Sequence, residues 1–421
     1  MLLRCAQWGP TASGIVDVVS GVPVAIFPHL LERWLGRLNG YDRSMEIAVL
    51  GGGNGAYATA ADLALHGHTV RWWRRDGKAF GPVLQDKVIT LVDSDGRHPA
   101  RIALPTTSLV EAVSGGEVVI IPLPAFAQEN LAAELAPILE DGQLVLLTPG
   151  SFGSYVMASQ LRRLGCVAEV ILAESATLPY LTRRLGTCEV GVTGRATTLP
   201  FGVYPGRLAG AVEGRLRLIF PGATIVEDSL DAALLNAGPI IHPPLIVLNA
   251  AALEHSASYD IHQEGTQPCT RAVQEALDSE RILVRERLSY GAPHYPLRDY
   301  YEGHDWFYEE GGRDRLVDSS YWRERVDLGT HRYVTEDIVF GLAFMVSVAA
   351  WAGVDLPVAR GLLAITAAIV GQDLVAAGRT LAGTGLAGLS PSEVKDRLRG
   401  GPPDVGARRT DFQATGGDTR C

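Results

Sequence analysis

A run of glycines near residue 50 has the spacing needed to hold an anionic cofactor. The segment 49–56 reads VLGGGNGA, which fits GxGxxG/A with Gly51, Gly53 and Ala56 at the defining positions. Gly51 permits a tight turn, Gly53 lets the backbone approach a pyrophosphate, and Ala56 lets the helix pack close to the strand. Asn54 and Gly55 are expected to stay near the phosphates at the positive helix N-terminus. The spacing predicts a dinucleotide site.

The end of the next strand decides which dinucleotide is preferred. An acid there bonds the ribose 2′-hydroxyl, whereas an arginine binds a 2′-phosphate. Arg74 and Arg75 occupy this position. Their guanidinium groups match phosphate in charge and fork geometry, so NADP(H) is predicted to be preferred over NAD(H). The alternative is a solvated surface pair, with Asp76 reaching back to the ribose.

The glycines lie in a strand–turn–helix–strand pattern, with strands over 46–50 and 69–73 and a helix over 56–66. This is a βαβ unit. Further strands are predicted over 118–121, 144–147, 170–172, 189–192 and 215–220, so the economical fold is a doubly wound, mostly parallel sheet. Pro122 and Pro149 follow two of these strands at the carboxyl edge, where a nicotinamide is expected, although strand-end prolines are equally common as simple terminators.

Near residue 230 the sequence pattern changes. Long segments with helical periodicity, rich in Ala, Leu and Glu, follow over 245–255, 270–288, 338–353 and 357–375. The fold class predicted is α/β plus all-α. We expect an N-terminal extension over 1–44, which contributes no recognisable element and should be dispensable. A Rossmann domain follows over 45–229, then a mostly helical domain over 230–400 and a disordered tail over 401–421.

Composition excludes several classes of partner. The net charge of −10 argues against a nucleic-acid or anionic-membrane surface. The uncharged run 338–354 is shorter than the roughly 20 residues of a bilayer span and fits a buried core helix. Five cysteines without CxxC spacing suggest reduced thiols in a cytoplasm and no metal site. The expected partners are small molecules, and a homodimer is left open.

Several segments together resemble the octopine/nopaline (opine) dehydrogenase family. They are the glycine run, ESATLPY at 174–180, LN at 235–236 with IHP at 241–243, NAA at 249–251, Glu254, EGT at 264–266 and RYVTED at 332–337. The similarity covers most of the chain from Met45 to about Val394. It implies that the protein uses NAD(P)H to reduce the imine between an α-keto acid, such as pyruvate, and the amino group of an amino acid.

The resemblance also implies roles for three residues. His242 matches the catalytic histidine, Asp337 the acid that orients it, and Arg332 the residue that binds the keto-acid carboxylate. The alternatives are a packing histidine, an N-terminal helix cap and a surface arginine, respectively. The Tyr- and Trp-rich stretch 295–322 takes the place of the amino-donor pocket but matches no family pattern, so the donor is not assigned.

Two other functions fit the same architecture. A ketopantoate-reductase-like or hydroxy-acid dehydrogenase would reduce a keto acid without any amine. A non-catalytic dinucleotide sensor would not need the histidine–aspartate pair. Amine dependence of NADPH oxidation separates the first from the family reaction, and the effect of replacing His242 separates the second.

Overall fold

The computed structural model describes residues 44–302 and 306–401. The predicted extension and tail therefore lie almost wholly outside the described residues. From Met45 onward the described chain belongs to one compact unit. The predicted domain boundary at 229/230 stays a prediction.

The strands are, in chain order, β1 (Glu46–Leu50), β2 (Thr69–Trp73), β3 (Val88–Asp93), β4 (Gly96–Arg101), β5 (Leu104–Thr106), β6 (Val118–Ile121), β7 (Leu144–Leu147), β8 (Ile171–Ser175), β9 (Tyr180–Gly186), β10 (Glu189–Arg195), β11 (Leu199–Tyr204), β12 (Ala223–Ile225), β13 (Tyr259–Asp260) and β14 (Arg323–Glu324).

The α-helices are α1 (Asn54–Leu65), α2 (Gly77–Asp86), α3 (Leu109–Val113), α4 (Ala125–Leu135), α5 (Gly153–Arg163), α6 (Ala209–Ile219), α7 (Ser229–Leu234), α8 (Gly238–His255), α9 (Pro268–Arg287), α10 (Leu297–Glu302), α11 (Gly312–Asp318), α12 (Ala343–Ala352), α13 (Pro357–Val370), α14 (Leu374–Ala377) and α15 (Pro391–Gly400). A 3₁₀ turn spans Gly206–Leu208 and a π-helix spans Tyr333–Leu342.

Eight strands form the main sheet in the order β12-β11-β8-β7-β6-β1-β2-β5. The strands from β5 to β8 in this order pair in parallel, whereas β11 is antiparallel to β8. Every residue of β6 and β7 is buried, as expected for strands covered on both faces. The predicted fold class, a Rossmann sheet followed by a mostly helical part, is confirmed.

Two predicted strands do not extend this sheet. The run 215–220 is wrong as a strand because it closes α6, where Val212, Leu216 and Ile219 are buried at helical spacing while Arg215 and Arg217 lie on the other side. Arg and Leu alternate over residues 215–218, and this two-residue period is also the period of a half-buried strand. The run 189–192 is a strand, but it belongs to a different sheet.

That second sheet has the order β4-β3-β10-β9 and packs on α1. Its inward residues share a buried core with the helix, including Ile89, Leu91, Val190 and Val192. The hairpin β3–β4 was not predicted, since β4 reads GRHPAR and has no apolar period. The packing places β9 beside the start of α1, where the glycine turn lies.

The helical part buries a core contributed by α8, α9, the π-helix, α12 and α13. Prolines begin three of these helices, at Pro239, Pro268 and Pro357, because a first-turn position needs no N–H partner. The long helix α8 and the π-helix lie against each other along their length. Their contact is the frame of the candidate site.

The predicted core helix near 338–354 begins earlier than expected. The π-helix and α12 together span Tyr333–Ala352, and this stretch and Ser229–His255 are long and apolar enough to cross a membrane by length and composition. The uncharged run is thus part of a longer helix, and length alone does not distinguish a core helix from a membrane span. Burial is the informative quantity, since 67% and 72% of the apolar 18-residue windows of these two stretches are buried within the protein, as in core helices.

Candidate active site

A buried hydrogen bond joins the two residues predicted to act as a catalytic pair. His242 lies in the second turn of α8, and Asp337 lies inside the π-helix. His242 Nδ1 and Asp337 Oδ2 are 2.8 Å apart, and the side chains are 14% and 5% exposed. The helix-cap interpretation of Asp337 is wrong, because the π-helix has already begun four residues earlier at Tyr333.

This hydrogen bond determines which nitrogen of the imidazole is available. A carboxylate at Asp337 only accepts, so His242 Nδ1 carries the hydrogen and Nε2 keeps its lone pair. Burial lowers the pKa of His242 from its ordinary value of 6.5, and Asp337 opposes that shift. The imidazole is therefore neutral near pH 7, and its Nε2 can accept a proton.

A tyrosine holds the plane of this imidazole. The rings of His242 and Tyr333 stack, with centroids 3.7 Å apart and planes 9° from parallel. The Tyr333 hydroxyl lies 2.8 Å from His262 Nε2. Burial, followed by the nearby His242, lowers the pKa of His262 well below its ordinary value, so this ring is neutral. His262 positions Tyr333, which in turn supports His242.

Arg332 brings a cation to the same cavity. Its guanidinium lies 5.7 Å from the centroid of the Tyr333 ring, and both residues line the cavity with His242. Burial lowers the pKa of Arg332, but Asp337 leads a group of neighbours that raise it further, so the charge persists. Among the described residues, none accepts a hydrogen bond from Arg332. A half-buried, charged donor of this kind suits an anionic ligand.

The glycine turn has the geometry that a dinucleotide requires. Gly51 adopts φ +143°, and a Cβ there would approach Leu123 to 2.9 Å. A Cβ on Gly53 would meet nothing within 4 Å, which leaves open space above the turn. The helix begins at Asn54, two residues earlier than predicted, and no side chain caps it. Ala56 is fully buried against the strand. The uncapped N–H groups and the open space fit a bound pyrophosphate.

The two arginines at the end of β2 have different surroundings. Arg74 lies over the turn against Gly52, and its guanidinium donates to the Tyr57 hydroxyl at 2.9 Å. Arg75 is exposed and pairs with Glu134 at 2.8 Å. Asp76 caps α2 by accepting from the Ala79 N–H through Oδ1 at 3.1 Å, which ties its carboxylate to the start of that helix. Arg74 is thus the better placed of the two arginines.

The predicted prolines lie at the carboxyl edge of the sheet. Pro122 packs beside Gly55, and Pro149 lines the cavity together with Asn54 and Gly55. The loop that carries Pro149 is held from below by Glu174, which accepts from Phe152 N, Ser154 N and the Ser154 hydroxyl. Burial raises the pKa of Glu174 to about 7. The loop is therefore fixed by buried hydrogen bonds.

Comparisons with known proteins show what the chain is similar to. The family model described as NAD/NADP octopine/nopaline dehydrogenase, alpha-helical domain, matches residues 225–370. An opine dehydrogenase from Arthrobacter sp. strain 1C is 27% identical over 368 residues, which cover 84% of this chain and 99% of the relative. The chain is similar to the opine dehydrogenase family over most of its length. It is an NAD(P)-dependent oxidoreductase that acts on CH–NH bonds.

Solved structures show the same fold. A structure of octopine dehydrogenase in complex with NADH and agmatine superposes with a TM-score of 0.63 at 21% identity and covers 85% of this chain and 99% of that one. Yersinopine dehydrogenase with NADP⁺ bound has a TM-score of 0.56 at 15% identity and covers 85% and 97%. Structures of this fold are therefore known with either cofactor bound.

Two neighbouring arginines on β9 lie at the candidate site and were not predicted from the sequence. Adjacent residues of a strand point to opposite faces. Arg183 accordingly lines the cavity and lies 5.8 Å from the Trp322 ring centroid. The Arg184 N–H donates to Asn54 Oδ1 at 3.0 Å, and its side chain reaches the carbonyl of Gly52 at 3.4 Å. The Arg-Arg pair is visible in the sequence shortly after ESATLPY. Its link to the glycine turn is not, because Asn54 lies 130 positions before Arg184.

A glycine permits the close approach of α8 and the π-helix. A Cβ on Gly238 would collide with Asp337 Oδ1. We expect Gly238→Ala to displace the carboxylate from His242 and to lower kcat by about 10²-fold, the usual cost of misplacing a catalytic group by 1 Å. Steady-state kinetics of NAD(P)H oxidation provide the measurement.

Gly361→Ala is the matched control, because a Cβ at that helical glycine meets nothing within 4 Å. It should leave kcat within about twofold, in line with a substitution that touches nothing. Equal losses in both variants would show that Gly238 has no special role.

Proposed function

We propose that the protein condenses a pyruvate-like α-keto acid with the amino group of an amino acid, reduces the product with NADPH, and uses His242, Asp337 and Arg332 to do so. The observation that supports this most is their convergence in one cavity that also reaches Asn54, Gly55 and Pro149 of the cofactor site. The cavity thus combines a proton acceptor, a carboxylate-binding cation and an entrance for the nicotinamide.

Arg332 binds the keto-acid carboxylate. Its fork of N–H donors matches a carboxylate in geometry, and no described residue accepts from it. Binding through the carboxylate leaves the neighbouring carbonyl carbon near His242. Such orientation turns an encounter of two substrates into a reaction within one complex.

His242 moves the protons. Neutral Nε2 takes a proton from the ammonium of the amino acid, whose lone pair then attacks the keto carbon. The imidazolium returns this proton to the former keto oxygen, and a second proton passes from the attacking nitrogen to the same oxygen by the same route, so that water leaves and the protonated imine remains. Asp337 stabilises the imidazolium through Nδ1. The nicotinamide, when bound, supplies the hydride.

Arg74 supports the preference for NADPH over NADH. It covers Gly52 and bonds Tyr57, which leaves it beside the turn where the ribose phosphate is expected. Arg75 would first have to leave Glu134, although an exposed ion pair of this kind is weak. We also propose a cytoplasmic location, consistent with free cysteines at positions 166, 188 and 269.

An oxidation assay with NADPH and a grid of keto acids against amino acids, followed by mass spectrometry, tests the function. We expect oxidation to require both substrates and the product to be a secondary-amine dicarboxylate. NADPH oxidation with a keto acid alone, giving a hydroxy acid, would support the ketopantoate-reductase-like alternative instead.

His242→Ala and Asp337→Asn should each lower kcat by about 10²–10⁴-fold with little change in NADPH affinity, because both remove the same proton transfer. The double variant should lose little more than either single variant. Effects that multiply in folded protein would show that the two residues act separately.

The pH dependence of kcat/KM provides an independent test of Asp337→Asn. The base is neutral His242, so kcat/KM should fall as pH drops through its pKa, below the ordinary 6.5. The carboxylate raises that pKa, so Asp337→Asn should move the acid limb to lower pH. A limb that stays in place would assign the titration to another group.

Arg332→Ala should raise the keto-acid KM by about 10- to 150-fold, the equivalent of a charge-assisted hydrogen bond of about 1.5–3 kcal/mol. Arg332→Lys keeps the charge but loses the forked pair of N–H donors, so its keto-acid KM should lie between those of the wild type and Arg332→Ala. Initial-rate kinetics with varied keto acid measure the effect, and an unchanged KM in Arg332→Ala would place the carboxylate elsewhere.

Arg74→Asp should weaken NADPH binding by about 1.5–3 kcal/mol and NADH binding far less, because only NADPH carries the 2′-phosphate. Fluorescence titration of each cofactor gives the two dissociation constants. Arg75→Asp is the control for general charge and should have the smaller effect. Equal affinity of the wild type for both cofactors would contradict the assignment.

A further inference from the structure

Two arginines from different sheets meet at one tyrosine beside the glycine turn. Arg74 follows β2 of the main sheet, and its Nη1 donates to the Tyr57 hydroxyl at 2.9 Å. Arg184 lies on β9 of the second sheet, and its guanidinium carbon is 5.3 Å from the centroid of the Tyr57 ring. One guanidinium group is thus held at the hydroxyl of this side chain and the other over its ring.

Both arginines also contact Gly52, which lies between the first two glycines of the GxGxxG/A pattern. A Cβ on Gly52 would lie 2.6 Å from Arg74 Nε, so a glycine leaves room for the arginine side chain where it lies. Arg184 Nη1 is 3.4 Å from the carbonyl oxygen of Gly52. The two side chains therefore approach the same point of the turn, one from each sheet.

The backbone of β9 is anchored at this place. The Arg184 N–H donates to Asn54 Oδ1 at 3.0 Å. Just beyond the end of the strand, the carbonyl of Thr187 accepts from the Tyr57 hydroxyl at 3.1 Å. Both bonds tie the β9–β10 hairpin to α1, and neither uses the Arg184 guanidinium. An anchored backbone reduces the entropy that the side chain loses when it binds a ligand.

Two neighbouring guanidinium groups repel each other, and a bound anion relieves this repulsion, since both keep their charge at any ordinary pH. A phosphate monoester carries about −1.5 to −2 charges at pH 7 and has three acceptor oxygens. NADPH carries such a group on its adenosine ribose, where NADH has a hydroxyl. The pyrophosphate that both cofactors share is served by the N–H groups at the start of α1. A second arginine beside Arg74 therefore matches the group that only NADPH has.

We propose that Arg184 is a second specificity-determining residue for the cofactor, which binds the 2′-phosphate of NADPH together with Arg74. The proposal rests on the NADPH preference proposed above and adds to it a residue from the second sheet. Arg75, which is adjacent to Arg74 in the sequence, pairs with Glu134 instead. The phosphate site is thus formed by one arginine from each sheet.

Fluorescence titration of Arg184→Gln with NADPH and with NADH tests this role, and the backbone bond to Asn54 stays in place in the variant. We expect the dissociation constant for NADPH to rise by about 10-fold, the lower end of the range for a charge-assisted hydrogen bond, because Arg184 is exposed to water. The dissociation constant for NADH should change by less than about twofold. Arg184→Lys keeps the charge without the forked pair of donors, so its affinity for NADPH should lie between those of the wild type and Arg184→Gln.

Arg217→Gln is the matched control for net charge. Arg217 is exposed on α6 and pairs with Glu213 at 2.7 Å. The end of α6 lies beside His68, at the amino end of β2, whereas Arg74 follows the carboxyl end of that strand. The control should bind both cofactors within about twofold of the wild type, as expected for a surface substitution. Thermal melting of all three variants identifies any loss of folding.

Two nucleotide fragments provide a readout that needs neither the nicotinamide nor the substrates. Adenosine 2′,5′-bisphosphate carries the 2′-phosphate, and adenosine 5′-monophosphate lacks it. By calorimetry, the wild type should bind the bisphosphate more tightly than the monophosphate, and Arg184→Gln should reduce this advantage by about 10-fold. The advantage should also decrease with added salt in the wild type, because a solvent-exposed charge contact is screened.

The outcomes separate the role of Arg184 from the cofactor preference and from the reaction. In Arg184→Gln, an equal loss of affinity for NADPH and NADH, or no loss for either, overturns the role and leaves the preference assigned to Arg74 intact. Equal affinity of the wild type for both cofactors overturns both. A loss confined to NADPH and the bisphosphate supports the role. These measurements are independent of turnover with any amine.

Discussion

The hydrogen bond between His242 and Asp337 is the interaction on which the site depends. It requires two apolar helices to lie unusually close, and Gly238 and Gly341 provide the space, since a Cβ on Gly341 would collide with Pro239. It also requires a π-helical turn, an uncommon geometry that is frequent at functional sites. Because the pair is removed from water, the attraction between imidazolium and carboxylate is stronger than on a surface. The same burial keeps the resting imidazole neutral.

Buried charges connect this helical frame to the edge of the Rossmann sheet. Glu336, next to Asp337, accepts from the N–H of Ala125 at 2.7 Å and so caps the start of α4. Burial raises its pKa to about 7. Arg379 donates to Gln128 and to the carbonyl of Ser151, in the loop that Glu174 holds. Networks of this kind cost desolvation, so they are better explained by the geometry they impose than by stability.

The second sheet contributes to both the cavity and the cofactor turn. One strand, β9, presents Arg183 to the cavity and Arg184 to the glycine turn. Any shift of β9 therefore moves both groups together. The two arginines differ in role because of the two-residue period of a strand, which turns adjacent side chains to opposite faces.

The sequence alone determined the elements whose signal is local. The glycine turn, the strands β1, β2, β6 and β7, and the arginine at the end of β2 follow from spacing and periodicity over a few residues. Family resemblance added His242, Asp337 and Arg332, whose roles stay predictions. What only the tertiary structure decided involves distant residues: the 2.8 Å pair between positions 242 and 337, the Tyr333 stack, the placement of Arg184 on Asn54, and the separation of Arg75 from Arg74. The run 215–220 failed for a related reason, because six residues of alternating character are compatible with either a strand or a helix, and packing against the sheet selected the helix.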